Sequence, residues 1–476
     1  MPIEVDVAVV GGGPGGYTAA VKAAQAGRSV VIIEKDKLGG TCLHRGCIPS
    51  KSLLRSAEVY ATVASAASYG VNVPDGTVSV DWRAVLARKT GIVEQLHKGL
   101  QALMKQHRIE VLRGSGRMIG PNIFSPRSGS IFVEFENGET ETVVPKNVII
   151  ATGSRPRRLE GLPYDGNIVV TSDEAFDWPS LPKSVLIVGG GVIGVEWASM
   201  LGDFGAEVTL VESAERLVPG EDKDVSAELA KALKKKGVNV LTGAGLQLES
   251  CALREDGGVQ ADIVSGGHTI SVVAERMLVS VGRVGNVEQL GLENTGVTTD
   301  KGFIAVNAKT LQTGESHIYA IGDCIGGVQL AHAAMHEASV AVSHLLGEKL
   351  PRTADRDIPR CIYSRPESAS IGWSEADAKA GGFDIQVAKL PLRILGKALV
   401  HGESEGFAKV IADRKSGDLL GVHLVGAHAT DMIAEASLAR LLDAVPWEIG
   451  RAIHPHPTLS EALQEVMLAL DGGGHG

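Results

Sequence analysis

The chain has 476 residues, too many for one hydrophobic core, and a net charge of −10, so three or four domains are expected. No basic stripe stands out, which argues against nucleic acid as a partner, and no apolar run reaches the ~20 residues of a membrane-crossing helix. Five scattered cysteines make no structural disulfide framework, and no Cys or His group has zinc spacing, so no metal is expected.

In chain order, residues 6–34 read DVAVVGGGPGGYTAAVKAAQAGRSVVIIE. They predict a β-branched strand, a GxGxxG turn, an amphipathic helix and a second strand ending in an acid. Gly11 permits the tight turn, Gly13 lets the backbone approach a pyrophosphate, and Gly16 allows close helix–strand packing. Glu34 then stands where a carboxylate accepts hydrogen bonds from ribose hydroxyls. The opening residues show no secretory or transit pattern, and a soluble cytoplasmic protein is expected.

Residues 38–54, LGGTCLHRGCIPSKSLL, hold Cys42 and Cys47 at the start of an apolar periodic segment. One irregular helical turn brings such a pair within disulfide reach, and a helix N-terminus makes a thiol reactive. The spacing alone also arises by chance. Residues 125–149 predict a small antiparallel meander.

Residues 184–212, SVLIVGGGVIGVEWASMLGDFGAEVTLVE, align with 6–34 without a gap. The dinucleotide-binding unit is therefore present twice, with Gly189, Gly191, Gly194 and Glu212 matching Gly11, Gly13, Gly16 and Glu34. Two nucleotide sites imply two cofactors, one passing electrons to the other. A carboxylate at Glu212 repels the 2′-phosphate of NADP and favours NAD, unless it is only a strand-end surface charge. The C-terminal part alternates strands, ends in a predicted helix over 459–470, and trails into a tail, 471–476, expected to be disordered. In the HPHP segment, spacing alone reads His454 or His456 as a turn cap more readily than it reads His456 as a catalytic group.

The flanks of the cysteine pair, GGTC and GCIPSK, behind a nucleotide-binding unit resemble the pyridine nucleotide–disulfide oxidoreductases. CIPSK looks most like the members that oxidise protein-bound dihydrolipoyl groups. The resemblance continues through ATGSRP (151–156), VGR (281–283), IYAIGDC (318–324), LAHAAMHEAS (330–339) and HPTLSE (456–461). It implies an α/β fold with two Rossmann-like domains, for FAD and NAD, and a C-terminal α+β dimerisation domain. The implied divisions are a flavin domain at 1–150, an NAD domain at 151–280, a central segment at 281–348 that completes the flavin site, and an interface domain at 349–476.

Carried over residue by residue, Cys42 is the interchange thiol and Cys47 the thiolate against the flavin. Lys51 sits near the flavin and pairs with Glu196, and His456, oriented by Glu461, is the acid–base. In the family that histidine reaches the active site of the other subunit, which implies a homodimer. Gly40, Thr41, Gly116, Thr152, Gly153, Asp323 and Ala331 join the FAD contacts, and Gly282 and Arg283 the NAD contacts. The implied partner is the lipoyl-bearing acyltransferase of a 2-oxo acid dehydrogenase complex, or a glycine-cleavage carrier protein.

The chain departs from the family pattern at His44 and Arg45, where Asn-Val is common, at Gly285 for Pro and at Pro455 for Ala. Among other reductases of the family, one acting on glutathione conflicts with Glu212, and one acting on mercury conflicts with the lack of any cysteine after Cys361. A related flavin-dependent reductase for another disulfide or metal substrate is the remaining alternative.

Overall fold

The computed structural model describes residues 2–73, 78–121 and 126–470. The expected tail disorder, and residue 125 of the predicted meander, lie outside them. The α/β architecture expected from the two nucleotide units is present. Among the described residues no helix is long and apolar enough to cross a membrane.

One compact unit comprises Met1–Ser52, Leu86–Arg157 and Gly282–Asp355. Its sheet begins with β1 (Ile3–Val10), α1 (Pro14–Gln25) and β2 (Val30–Glu34), with Val7 paired to Val30 and Val10 to Ile33 in parallel register. These strands are buried on both faces, which is why they read as β-branched runs. Val7, Val9 and Ile32 face one core with Ala19, Ala20 and Ala23 of α1, while Ala8, Val10 and Ile33 face another. Proline at the start of α1 fits its first turn, where no N–H is needed.

Next come α2 (Gly40–Arg45), α3 (Cys47–Ala64) and α4 (Trp82–Gln106). The predicted meander appears as β4 (Ser130–Phe135) and β5 (Thr140–Ile150), but it is not a separate sheet. The first half of β3 (Glu110–Ile119) pairs in parallel with β2, and its second half pairs antiparallel with β4. β5 pairs with β4 at one end and along the whole of β1. Long strands that bend from one partner to the next therefore fuse the meander to the nucleotide-binding sheet. The short strand Ile318–Ala320 adds to β5, and the helix Ala331–Leu345 follows it.

The other unit comprises Leu53–Val85, Arg158–Val281 and Arg356–Gly476. It holds the second parallel sheet, made of β6 (Val169–Thr171), β7 (Ser184–Val188), β8 (Glu207–Glu212), β9 (Asn239–Thr242) and β10 (Arg276–Val279), in the order β9-β8-β7-β10-β6. Between β7 and β8 runs α5 (Val192–Asp203), and between β8 and β9 runs α6 (Lys223–Lys235). A five-stranded antiparallel sheet follows, with Phe407–Asp413 and Leu419–Val425 inside it, covered by α7 (Ala429–Leu441) and α8 (Glu461–Leu470). Helix α8 begins two residues later than predicted, because Thr458 N–H donates to Glu461 Oε2 and keeps the preceding residues in a turn.

Lys409, 2 % exposed, is buried in this unit. Its Nζ lies 2.9 Å from Asp222, 2.8 Å from Asp224 and 2.9 Å from Glu375. Asp222 also caps the N-terminus of α6, so one buried cluster ties that helix to the antiparallel sheet.

Candidate active site

In the first unit the turn after β1 brings Gly11, Gly13 and Gly16 to the start of α1. A Cβ on Gly16 would sit 1.9 Å from Gly11 O, so only glycine lets the helix approach the turn. Gly13 is the N-cap of α1 and offers no side-chain cap, which leaves the first N–H groups of the helix for a ligand. Gly40, at φ +59°, stands across from it, and a Cβ there would be 2.7 Å from Gly13 Cα. This bare backbone cradle fits a flat, phosphate-bearing cofactor.

Glu34 does more than expected. Its Oε2 accepts Gly12 N–H at 2.7 Å and its Oε1 accepts Asp36 N–H at 2.9 Å, so the acid fastens the turn as well as ending β2. Gly116 lies in β3, where a Cβ would come within 2.9 Å of Ile33, so strand packing by itself requires glycine there.

The far side of the cradle is a polar network. Thr152 Oγ1 donates to Asn286 O at 2.7 Å, Asn286 N–H donates to Gly153 O at 2.9 Å, and the Ser154 hydroxyl donates to Asp323. Arg283, expected at the nicotinamide nucleotide, donates through Nε to Ser154 Oγ at 2.7 Å and lies 3.9 Å from Asp323. The adjoining Gly282, at φ +107°, accepts Arg157 N–H through its carbonyl. Ser154 and Glu337 were missed by sequence reasoning. Buried Glu337 accepts Gly322 N–H at 2.8 Å and so supports the turn that carries Asp323. Ala331 opens the helix Ala331–Leu345, whose N-cap Leu330 also provides no side-chain cap. Beside it, Gln329 Nε2 is buried with no hydrogen-bond partner among the described residues.

Cys42 and Thr41 lie in α2, Cys47 opens α3, and Lys51 follows one turn later. Both cysteines are half-buried. Cys42 hydrogen-bonds to Cys47, and that bond, reinforced by burial, pushes the Cys42 thiol well above its ordinary pKa.

In the second unit the same turn is built again. A Cβ on Gly194 would lie 1.9 Å from Gly189 O, and Gly191 caps α5 with open space around it. Glu212 repeats the fastening seen at Glu34: Oε2 accepts Gly190 N–H at 2.6 Å and Oε1 accepts Ala214 N–H at 2.7 Å. Oε1 also accepts the Ser213 hydroxyl at 3.2 Å, so Oε2 is the oxygen that retains acceptor capacity for ribose. Glu196, buried on α5, accepts Tyr363 N–H at 3.0 Å.

The two histidines of the HPHP segment separate by their partners. His454 uses Nδ1 on Ala452 O and Nε2 on Glu435, both at 2.9 Å. His456 is exposed, with Nδ1 2.8 Å from Glu461, and its Nε2 has no protein partner among the described residues. Burial opposes ionisation of Glu461, but the Thr458 N–H and the His456 ring outweigh it and hold the carboxyl below its usual range. The ring that remains able to exchange a proton is His456. Among the described residues no group of three or more His, Cys, Asp or Glu side chains is placed to hold a metal.

Residues 5–338 match the family described as pyridine nucleotide-disulphide oxidoreductase, and residues 358–467 match its dimerisation domain. The chain is 54% identical to a dihydrolipoyl dehydrogenase of Bacillus subtilis (strain 168) over 475 residues, covering 99% of each. It is 41% identical to the dihydrolipoyl dehydrogenase of Zymomonas mobilis, again over 99% of each. Among solved structures it resembles LpdA from Mycobacterium tuberculosis, with a TM-score of 0.89 and 27% identity over 98% of this chain and 100% of that one. It also resembles the HOCl-induced flavoprotein disulfide reductase RclA from Escherichia coli, with a TM-score of 0.85 and 27% identity over 98% of this chain and 99% of that one.

Proposed function

The chain belongs to the pyridine nucleotide-disulphide oxidoreductase family, and from that membership we propose that it works as a dihydrolipoyl dehydrogenase, using FAD and NAD. The reading rests on the 54% identity along the whole chain to a relative of that activity. The Cys42–Cys47 pair beside a nucleotide cradle supports it.

In the reaction a dihydrolipoyl thiol gives its proton to Nε2 of His456 of the partner subunit, and Glu461 stabilises the resulting imidazolium. The substrate thiolate attacks Cys42 of the oxidised pair, and Cys47 leaves as a thiolate. The second substrate thiol then attacks the mixed disulfide, which closes the lipoyl ring and returns Cys42 as a thiol. Two electrons and two protons leave the substrate. Bound FAD supplies the two-electron path from Cys47 to NAD. The cradle of Gly13 and Gly40 would hold its diphosphate, Asp323 its ribityl chain, and Lys51 its reacting ring. Gly191 and Glu212 hold NAD.

The dimerisation domain supports a homodimer. The finer assembly, docking to a lipoyl-bearing acyltransferase or a glycine-cleavage carrier protein in the cytoplasm, is part of the same proposal. Comparing turnover of dihydrolipoamide and glutathione, each with NAD and NADP, tests it. Turnover of dihydrolipoamide with NAD is expected, and turnover confined to glutathione and NADP would overturn the reading.

A further inference from the structure

Resting on the reading of Cys42 and Cys47 as the exchanging pair, we propose that His44 and Arg45 are positioning residues. They clamp the Cys42 helix onto residues 36–38 and thereby set the disulfide–dithiol equilibrium of the pair.

Helix α2 has six residues, an N-cap glycine without a side-chain cap, and no acid in its first turn. Isolated helices shorter than ~12 residues are not stable in water, so α2 must be held from outside. The contacts that hold its C-terminal end converge on one short segment. His44 Nε2 donates to Leu38 O at 3.0 Å, and Arg45 pairs with Asp36 at 2.8 Å. From α4, His97 Nδ1 donates to the same Leu38 carbonyl at 2.9 Å, with the two imidazoles 5.2 Å apart edge to face. Burial draws the His44 pKa below its ordinary value, which keeps the ring neutral. The segment they grip is itself fixed, since Leu38 is buried, Gly39 N–H donates to Gly12 O, and Asp36 N–H donates to Glu34.

The clamp acts at a sensitive place. His44 and Arg45 are the last two residues of α2, and only Gly46 separates them from Cys47. Where α2 ends therefore decides how the two sulfurs face each other. A disulfide tolerates a narrow range of geometry, whereas two thiols do not require it. Displacing α2 thus changes the free energy of the oxidised pair more than that of the reduced pair. Both clamp residues stand where the family commonly has Asn-Val, so the device is particular to chains that carry His-Arg.

The test equilibrates the holoenzyme with a graded dithiol redox buffer, traps the thiols and reads the disulfide fraction by mass spectrometry. FAD content and thermal midpoint are followed in parallel. The variants are H44N, R45V, H44N/R45V and D36N, the last removing the clamp while keeping the Arg45 charge. H97Q, on a different helix, serves if the α2 variants do not fold. The double variant is expected to change the equilibrium constant by about threefold or more, ~14 mV for a two-electron couple. D36N should move it in the same direction, with FAD content retained. Unchanged equilibria in every variant would overturn the clamp. A shift in R45V without one in D36N would overturn it too, because charge alone would then be acting. A wild-type protein whose Cys42 and Cys47 never form a disulfide would instead remove the exchanging pair itself.

Discussion

His456 Nδ1 lies 2.8 Å from one oxygen of Glu461, whose other oxygen accepts Thr458 N–H at 2.8 Å. The carboxylate is thereby fixed before it acts, and it fixes the imidazole tautomer so that Nε2 is the basic nitrogen. His456→Gln is expected to slow dihydrolipoamide oxidation by about 10²–10⁴-fold, the usual worth of an oriented base. Reduction of the flavin by NADH in a single turnover should be nearly unaffected. Glu461→Gln should lose less. Normal dihydrolipoamide turnover in His456→Gln would remove the base assignment.

The hydrogen bond to Cys47, with burial, holds the Cys42 thiol well above its ordinary pKa, and the proposed reading makes Cys47 the thiolate that meets the flavin. Two-electron reduction should produce a long-wavelength charge-transfer band that Cys47→Ser lacks and Cys42→Ser shows without reduction. Wild-type spectra and activity in both variants would sink the redox assignment.

Glu212 holds the Gly190 turn, and on the proposed reading its carboxylate repels a 2′-phosphate at the ribose position. Glu212→Arg should narrow the preference for NAD over NADP, weakening NAD binding by about 1–3 kcal/mol. Titration of both nucleotides against the variant checks this, and equal affinities in variant and wild type would take Glu212 out of the site.

Arg283 and Asp323 both meet the Ser154 hydroxyl. Ser154→Ala should therefore weaken FAD retention, by roughly 1 kcal/mol or about fivefold, without raising the KM for NAD. A KM effect without any loss of FAD would return Arg283 to the nicotinamide site alone.

The Lys409 cluster should govern stability. Lys409→Met leaves Asp222 buried without its cation, at a cost of about 3 kcal/mol, the low end for a broken buried pair because Asp224 and Glu375 are part-exposed. Burial opposes ionisation of Asp222 and Asp224, but the nearby His423 ring and the bonds Asp222 accepts, and Lys409 and Lys389 at Asp224, hold both below the usual carboxylate range, and Lys379 and Lys409 lower Glu375. Their contribution is thus full above the unfolded carboxylate pKa of ~4 and is lost as pH falls through the lower folded values. The thermal midpoint of the wild type should drop below pH ~4 more steeply than that of Lys409→Met. Parallel pH profiles would refute the coupling.

Much of the site was legible because its glycines and acids recur at fixed spacing in two copies, a signature that local backbone geometry imposes. The partners of the polar groups were not. Ser154 meets Asp323 across 169 positions, and Arg283 reaches back to Ser154 across 129. Short-range hydrogen bonds between distant residues leave no periodicity to read. His454 and His456 look alike as sequence, yet Glu435 and Ala452 occupy both nitrogens of one and neither nitrogen of the other. The merging of the meander into the main sheet was invisible for a related reason. β3 changes partner in mid-strand, between Arg113, paired with Glu34, and Gly114, paired with Phe135, with no break in its pattern.

The close approach of Gly40 to Gly13 bears on how this protein can change over generations. The wall of the nucleotide cradle and the first residue of the Cys42 helix are one surface, and any side chain at Gly40 meets Gly13 Cα at 2.7 Å. A variant that loosens the hold on the cofactor there also displaces the reactive thiol. The two traits are inherited together at that position. Adaptation of redox behaviour must then come from neighbours that move the helix without entering the cradle, and the half-exposed Arg45 is such a neighbour.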